Sequence, residues 1–130
     1  MENIADSIKR SLVEGQLPCA VAFAVAEQSG VEALQVGQHA DALGTRLSKC
    51  QLGLFGYGPK AEGKHRRVEP MRPVPPELAE AIRAGLGKDG KLACATAWSI
   101  AARLGLAKQT VSNAVEGLGL RVGQCQLGAF

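Results

Sequence analysis

Between Lys108 and Leu118, polar and apolar residues fall into two interleaved sets. Val111, Ala114, Val115 and Leu118 follow the i, i+3, i+4, i+7 spacing that lines one face of a helix. Lys108, Gln109, Ser112, Asn113 and Glu116 fall on the opposite face. These are residue types that recognise nucleic acid. A lysine neutralises phosphate, a serine hydroxyl bonds to phosphate or a base edge, and a glutamine or asparagine amide makes paired bonds to adenine in a major groove. The same types equally suit a solvated helix face.

Further cations lie within reach along the chain: Arg103 and Arg121 on either side of this stretch, and Lys60, Lys64, Arg66, Arg67 and Arg72 upstream. Charge is unevenly divided. Residues 1–57 carry a net charge of −2, residues 58–75 a net +3 and residues 76–130 a net +2. Phosphate attraction would come from the second half and from a basic arm formed by the middle segment, giving weak, salt-sensitive binding by a monomer. Lys64-His65-Arg66-Arg67 reads equally as a solvated charge run. Five aromatic residues offer no interleaved aromatic and basic platform for stacking bases, which favours duplex DNA over single strands.

The other reactive residues are Cys19, Cys50, Cys94 and Cys125. They form no Cys-x-x-Cys pair and no Cys/His cluster, the close spacing that holds zinc or iron–sulfur ligands on one turn, so no cofactor is expected. They read as small buried hydrophobes in a reducing compartment, with a thiol or metal sensor as a minor alternative. Enzyme chemistry has little support. Two histidines lie in different settings, and the chain has no nucleophile elbow and no glycine-rich loop leading into a helix.

The elements that position these residues come as a repeat. Leu17–Phe55 laid over Leu92–Phe130 at an offset of 75 gives 15 identities in 39 positions, ending with Cys50-Gln51-Leu52-Gly53 over Cys125-Gln126-Leu127-Gly128. Such self-similarity marks duplication. The chain divides into a first unit, 1–57, a Pro/Gly-rich basic linker, 58–75, expected to be extended and exposed, and a second unit, 76–130. Each unit reads as three helices and a strand. In the second these are Glu77 to Gly85, Cys94 to Leu104, Lys108 to Leu118, and a strand from Leu120 to Leu127, with Gly105 reversing the chain after the second helix.

Ala97 to Glu116 resembles the twenty-residue helix-turn-helix of bacterial repressors: Ala101 is small where two helices cross, Gly105 makes the turn, and Ile100, Leu104, Leu106, Val111 and Val115 fill the wedge. The wider resemblance is to the winged helix-turn-helix superfamily in tandem. It implies a mainly α fold of two three-helix units packed as a pseudo-dimer, with a C-terminal strand in each unit and room for a hairpin wing in the first, up to Tyr57. It also implies a small DNA-binding transcription regulator or accessory protein whose reading residues are Lys108, Gln109, Ser112 and Asn113, supported by Arg103, Arg121, Arg66 and Arg67.

The matching face of the first unit, Ala33, Leu34, Gly37, Gln38 and Asp41, has no basic residue and an exposed leucine. It suits close approach by another helix, from a protein partner, from the second unit or from a second chain in a homodimer. His39 falls at a core-facing position. From this comes the competing expectation: a helix-turn-helix-derived assembly module that does not bind DNA. The ten-residue apolar run Leu17 to Ala26 is too short to cross a bilayer and reads as a core helix; with no leader pattern at the N-terminus, a cytoplasmic location is expected.

Overall fold

The computed structural model describes residues 3–58 and 60–129, which contain six α-helices and four short strands. They form two compact units. The first runs to Gln51 and takes in Phe55–Arg66 and Gln126–Ala129; the second takes in Leu52–Leu54 and Arg67–Cys125. The units therefore interleave in sequence, unlike the division at 57 and 75 that composition suggests.

In the first unit, α1 (Ile4–Arg10) starts where the Asn3 side chain accepts a hydrogen bond from the Asp6 N–H at 2.8 Å. That bond satisfies one of the amides a helix start leaves open. Strand β1 (Leu17–Pro18) leads directly into α2 (Cys19–Ser29), where the proline, lacking an N–H, can precede the helix at no cost. Gly30 ends α2 at φ +67°, a left-handed conformation that only glycine adopts freely, and α3 (Ala33–Ala42) follows. The Gln35 side chain turns back to accept from the Glu32 N–H and closes the start of α3. Strand β2 (Leu47–Ser48) then pairs with β1 in parallel, Leu17 opposite Leu47.

The second unit repeats this order. It comprises α4 (Pro76–Gly85), β3 (Lys91–Ala93), α5 (Cys94–Leu104), α6 (Lys108–Gly117) and β4 (Arg121–Gly123). Proline in the first turn and Glu77 beside it suit the positive end of α4. Strands β3 and β4 are parallel, with Leu92 opposite Val122. Parallel neighbours need a crossover, and in each unit the helix pair between the strands supplies it.

Each core is small. Ile8, Leu17, Ala22, Val25, Val36 and Ala40 are buried in the first unit; Leu78, Ile82, Leu92, Ala97, Ile100, Val111, Ala114 and Val115 in the second. Burying one leucine or isoleucine contributes roughly 1.5–3 kcal/mol, so the few large side chains carry much of each unit. Ala22 and Ala97, both fully buried, keep the packed surface of α2 and α5 shallow enough for a neighbour to approach.

Several expectations change. The strands ahead of α2 and α5 were not foreseen, because two or three residues are too few to show an alternating pattern. The strand expected from Leu120 to Leu127 covers only Arg121–Gly123, since Gln124 turns left-handed at φ +48°, as Lys49 does at the matching place, φ +47°. No hairpin wing is present among the described residues; parallel pairing takes its place. His39 is exposed, not core-facing. It occupies the position matching Ala114, which the second unit buries, and an imidazole is too large for the space of a methyl. The linker is not free throughout: Lys60–Glu62 form one turn of 3₁₀ helix, and residues 67–71 lie along α6. No helix among the described residues is long and apolar enough to cross a membrane.

Candidate functional site

Helix α6 carries the residues singled out for reading DNA, and every one of its ten residues is buried or half-buried. The covering segment is the end of the linker. The Met71 N–H donates to the Asn113 carbonyl at 2.9 Å, and the Glu69 N–H donates to Asn113 Oδ1 at 3.0 Å. One turn back, Gln109 Nε2 donates to the Arg67 carbonyl at 3.0 Å. Gly53 completes the seat, its carbonyl accepting from the N–H groups of Arg67 at 2.7 Å and Val68 at 3.2 Å. Residues 67–71 are thus held mainly through their main chain, as a short strap.

Two glycines make the strap fit. A Cβ on Gly117 would collide with the Met71 carbonyl, so only glycine lets the strap lie against the last turn of α6. A Cβ on Gly53 would press on the Gln109 side chain at 3.1 Å. Glycine within a helix costs about 1 kcal/mol relative to alanine, and Gly117 offsets this by admitting a neighbouring main chain.

The remaining predicted residues are scattered. Lys108 Nζ sits 4.1 Å from the centre of the Trp98 ring, a cation–π contact within the second unit. Ser112, assigned from its spacing to the open face, is 1% exposed, and its Oγ has no hydrogen-bond partner among the described residues. That face is open only on an isolated helix. Here Ser112 lies inside the unit and cannot reach a groove without a rearrangement. Arg103, at the end of α5, and Arg121, at the start of β4, are exposed, as are Arg66 and Arg67. The structure therefore brings Gln109 and Asn113 together with Arg67, Glu69 and Met71.

In the first unit the corresponding helix is open. Leu34, Gln35, Gln38, His39, Asp41 and Ala42 on α3 are all exposed, Leu34 at 47%. Its glycine is used differently. Gly37 meets the main chain of Leu127, whose carbonyl occupies the place of a Cβ, and Gly128 passes close to the Leu34 side chain. No helix makes this approach among the described residues; an irregular segment of the same unit lies beside Leu34 and Gly37 instead. A cleft of about 380 Å³ remains between Gln38 and Asp41 of α3, Thr45 to Leu47, Phe55 and the 127–129 segment.

Trp98, Glu69, Met71, Gly53 and Gly117 were missed as site residues. The signal for Gly117 was present in the sequence: a glycine ends α6 where the matching helix has Ala42. No disulfide joins the cysteines among the described residues; Cys19, Cys50 and Cys94 are buried and Cys125 is half-buried. Among the described residues no three His, Cys, Asp or Glu side chains group to hold a metal. Comparison of the chain with protein-family models, with curated proteins and with solved structures gave no match.

Proposed function

We propose that this protein is an assembly module, working in the cytoplasm, that keeps a tandem helix-turn-helix scaffold and uses its helix faces to bind peptide segments rather than to read DNA. The observation that carries this reading is the strap: Gln109 and Asn113, the side chains best suited to base edges, are bonded to residues 67–71. A recognition helix enters a major groove with the N-terminal part of its open face, and α6 has no fully exposed residue there. The exposed face of α3 has no lysine or arginine and carries Asp41, whose carboxylate repels phosphate.

A second reading is duplex DNA binding by α6 after the strap lifts. The exposed Arg103 and Arg121, together with Lys108, Gln109 and Asn113, favour it. Fluorescence anisotropy with random-sequence duplex DNA over a salt series separates the two, using the wild type and Gly117→Ala, in which the added methyl displaces the strap. The assembly reading expects neither protein to bind at low salt. Steeply salt-dependent binding by either, lost on replacing Lys108, Gln109 and Asn113 together by alanine, overturns it in favour of DNA.

A further inference from the structure

The two units of one duplication differ at one groove: among the described residues the groove beside α6 is filled and the groove beside α3 is open. The correspondence holds at three positions and breaks at a fourth, where Leu34 stands in place of Gln109 and offers no donor. Gln38 stands where Asn113 holds the strap, Gly128 where Gly53 accepts its N–H groups, and Ala42 where Gly117 lies under Met71. The backbone repeats as well, with Gly53 at φ +77° and Gly128 at φ +80°, so both present a carbonyl from the same kind of turn.

We propose that the open cleft of the first unit is a binding site for an extended peptide segment of mixed charge, of the type Arg-Val-Glu-Pro that residues 67–70 exemplify. This rests on the assembly reading above. The guest main chain donates to the Gly128 carbonyl and to the main-chain or side-chain oxygen of Gln38, as Arg67 and Val68 donate to Gly53 and as Glu69 and Met71 donate to Asn113. The charges match, since the cleft is lined by Asp41 and Arg46, and the segment offers one basic and one acidic side chain. Leu47 and Phe55 supply apolar wall for the valine. At about 380 Å³ the cleft lies within the roughly 300–1,000 Å³ of ligand-holding sites. One feature sets the length of the guest. Ala42 matches Gly117, over which the Met71 carbonyl passes, and its methyl would meet a carbonyl there, so a guest in the first unit stops, or lifts away, one residue earlier.

The test uses the full chain, labelled with nitrogen-15, and two blocked peptides, acetyl-Arg-Val-Glu-Pro-amide and the same peptide extended by methionine. The strap in the second unit benefits from the millimolar effective concentration of a short tether, so a free peptide should be titrated to about 10 mM. Amide shifts should concentrate at Gln38, Asp41, Arg46 and Gly128. Gln38→Ala should weaken binding, while Ala42→Gly should tighten the methionine-extended peptide by about tenfold, a gain within the range for relieving an overpacked contact. Shifts confined to Gly53, Gln109 and Asn113 would mean that the peptide only displaces the strap, and would overturn the first-unit site while leaving the assembly reading intact. No shifts at either place would overturn the site as well. The assembly reading itself falls only to the DNA titration.

Discussion

The main-chain N–H of Met71 donates to the main-chain carbonyl of Asn113 at 2.9 Å, which sets the Met71 carbonyl where Gly117 would carry a Cβ. A bond between main-chain groups leaves little room for adjustment, so this contact should respond sharply to substitution.

Gly117→Ala should detach the strap. Overpacking against a main chain costs about 1–3 kcal/mol, offset in part by the better helix propensity of alanine. Hydrogen exchange should accelerate at Glu69 and Met71 while the amides of α5 stay protected. Unchanged protection at Met71 would mean that the last turn of α6 can shift to accommodate the methyl.

Asn113→Ala removes the acceptor for Glu69 but keeps the carbonyl bonded to Met71. The loss should be about 0.5–1.5 kcal/mol, the net worth of one hydrogen bond, measured as a drop in the urea midpoint with an unaltered slope. Combined with Gly117→Ala the two effects should fall short of additive, because both act on one strap.

Ser112→Ala is expected to leave stability unchanged or raise it. The hydroxyl is buried and has no partner among the described residues, and an unpaired buried hydroxyl costs about 1–3 kcal/mol. A lowered Tm would mean that the Oγ is bonded in solution.

Lys108→Ala should cost about 0.5–1 kcal/mol through loss of the contact with Trp98. Trp98 is the only tryptophan in the chain, so its emission reports the change directly, and Lys108→Arg should largely restore the wild-type spectrum.

In the first unit, Gly37→Ala places a methyl against the Leu127 carbonyl and should release the 126–129 segment. Faster exchange of those amides, with α2 unaffected, is the expected result.

The helices were legible because their apolar spacing and their glycine stops are local signals. Cys94–Leu104 was placed to the residue, and Lys108–Gly117 within one. The repeat announced that the two units would share an element order. The site was harder to read. Lys108, Gln109 and Asn113 look like a reading face because spacing along a helix shows which residues share a side and not what covers that side. The strap that covers it comes from a segment whose composition suggests only solvent exposure, and it bonds through its own main-chain groups, which leave no trace in its residue types. Gly117 was the exception, visible as a helix glycine without an apparent turn to make.

Parallel strands paired across a helix pair also govern the order in which each unit assembles. Lys91 meets Arg121 only after α5 and α6 have folded back on one another, so closing β3 onto β4 pays the entropy of a loop thirty residues long before it gains a single ladder bond. The helix hairpin is therefore expected to form before the strand pair, with β4 and the left-handed residue Gln124 just beyond it among the last parts of the unit to become fixed.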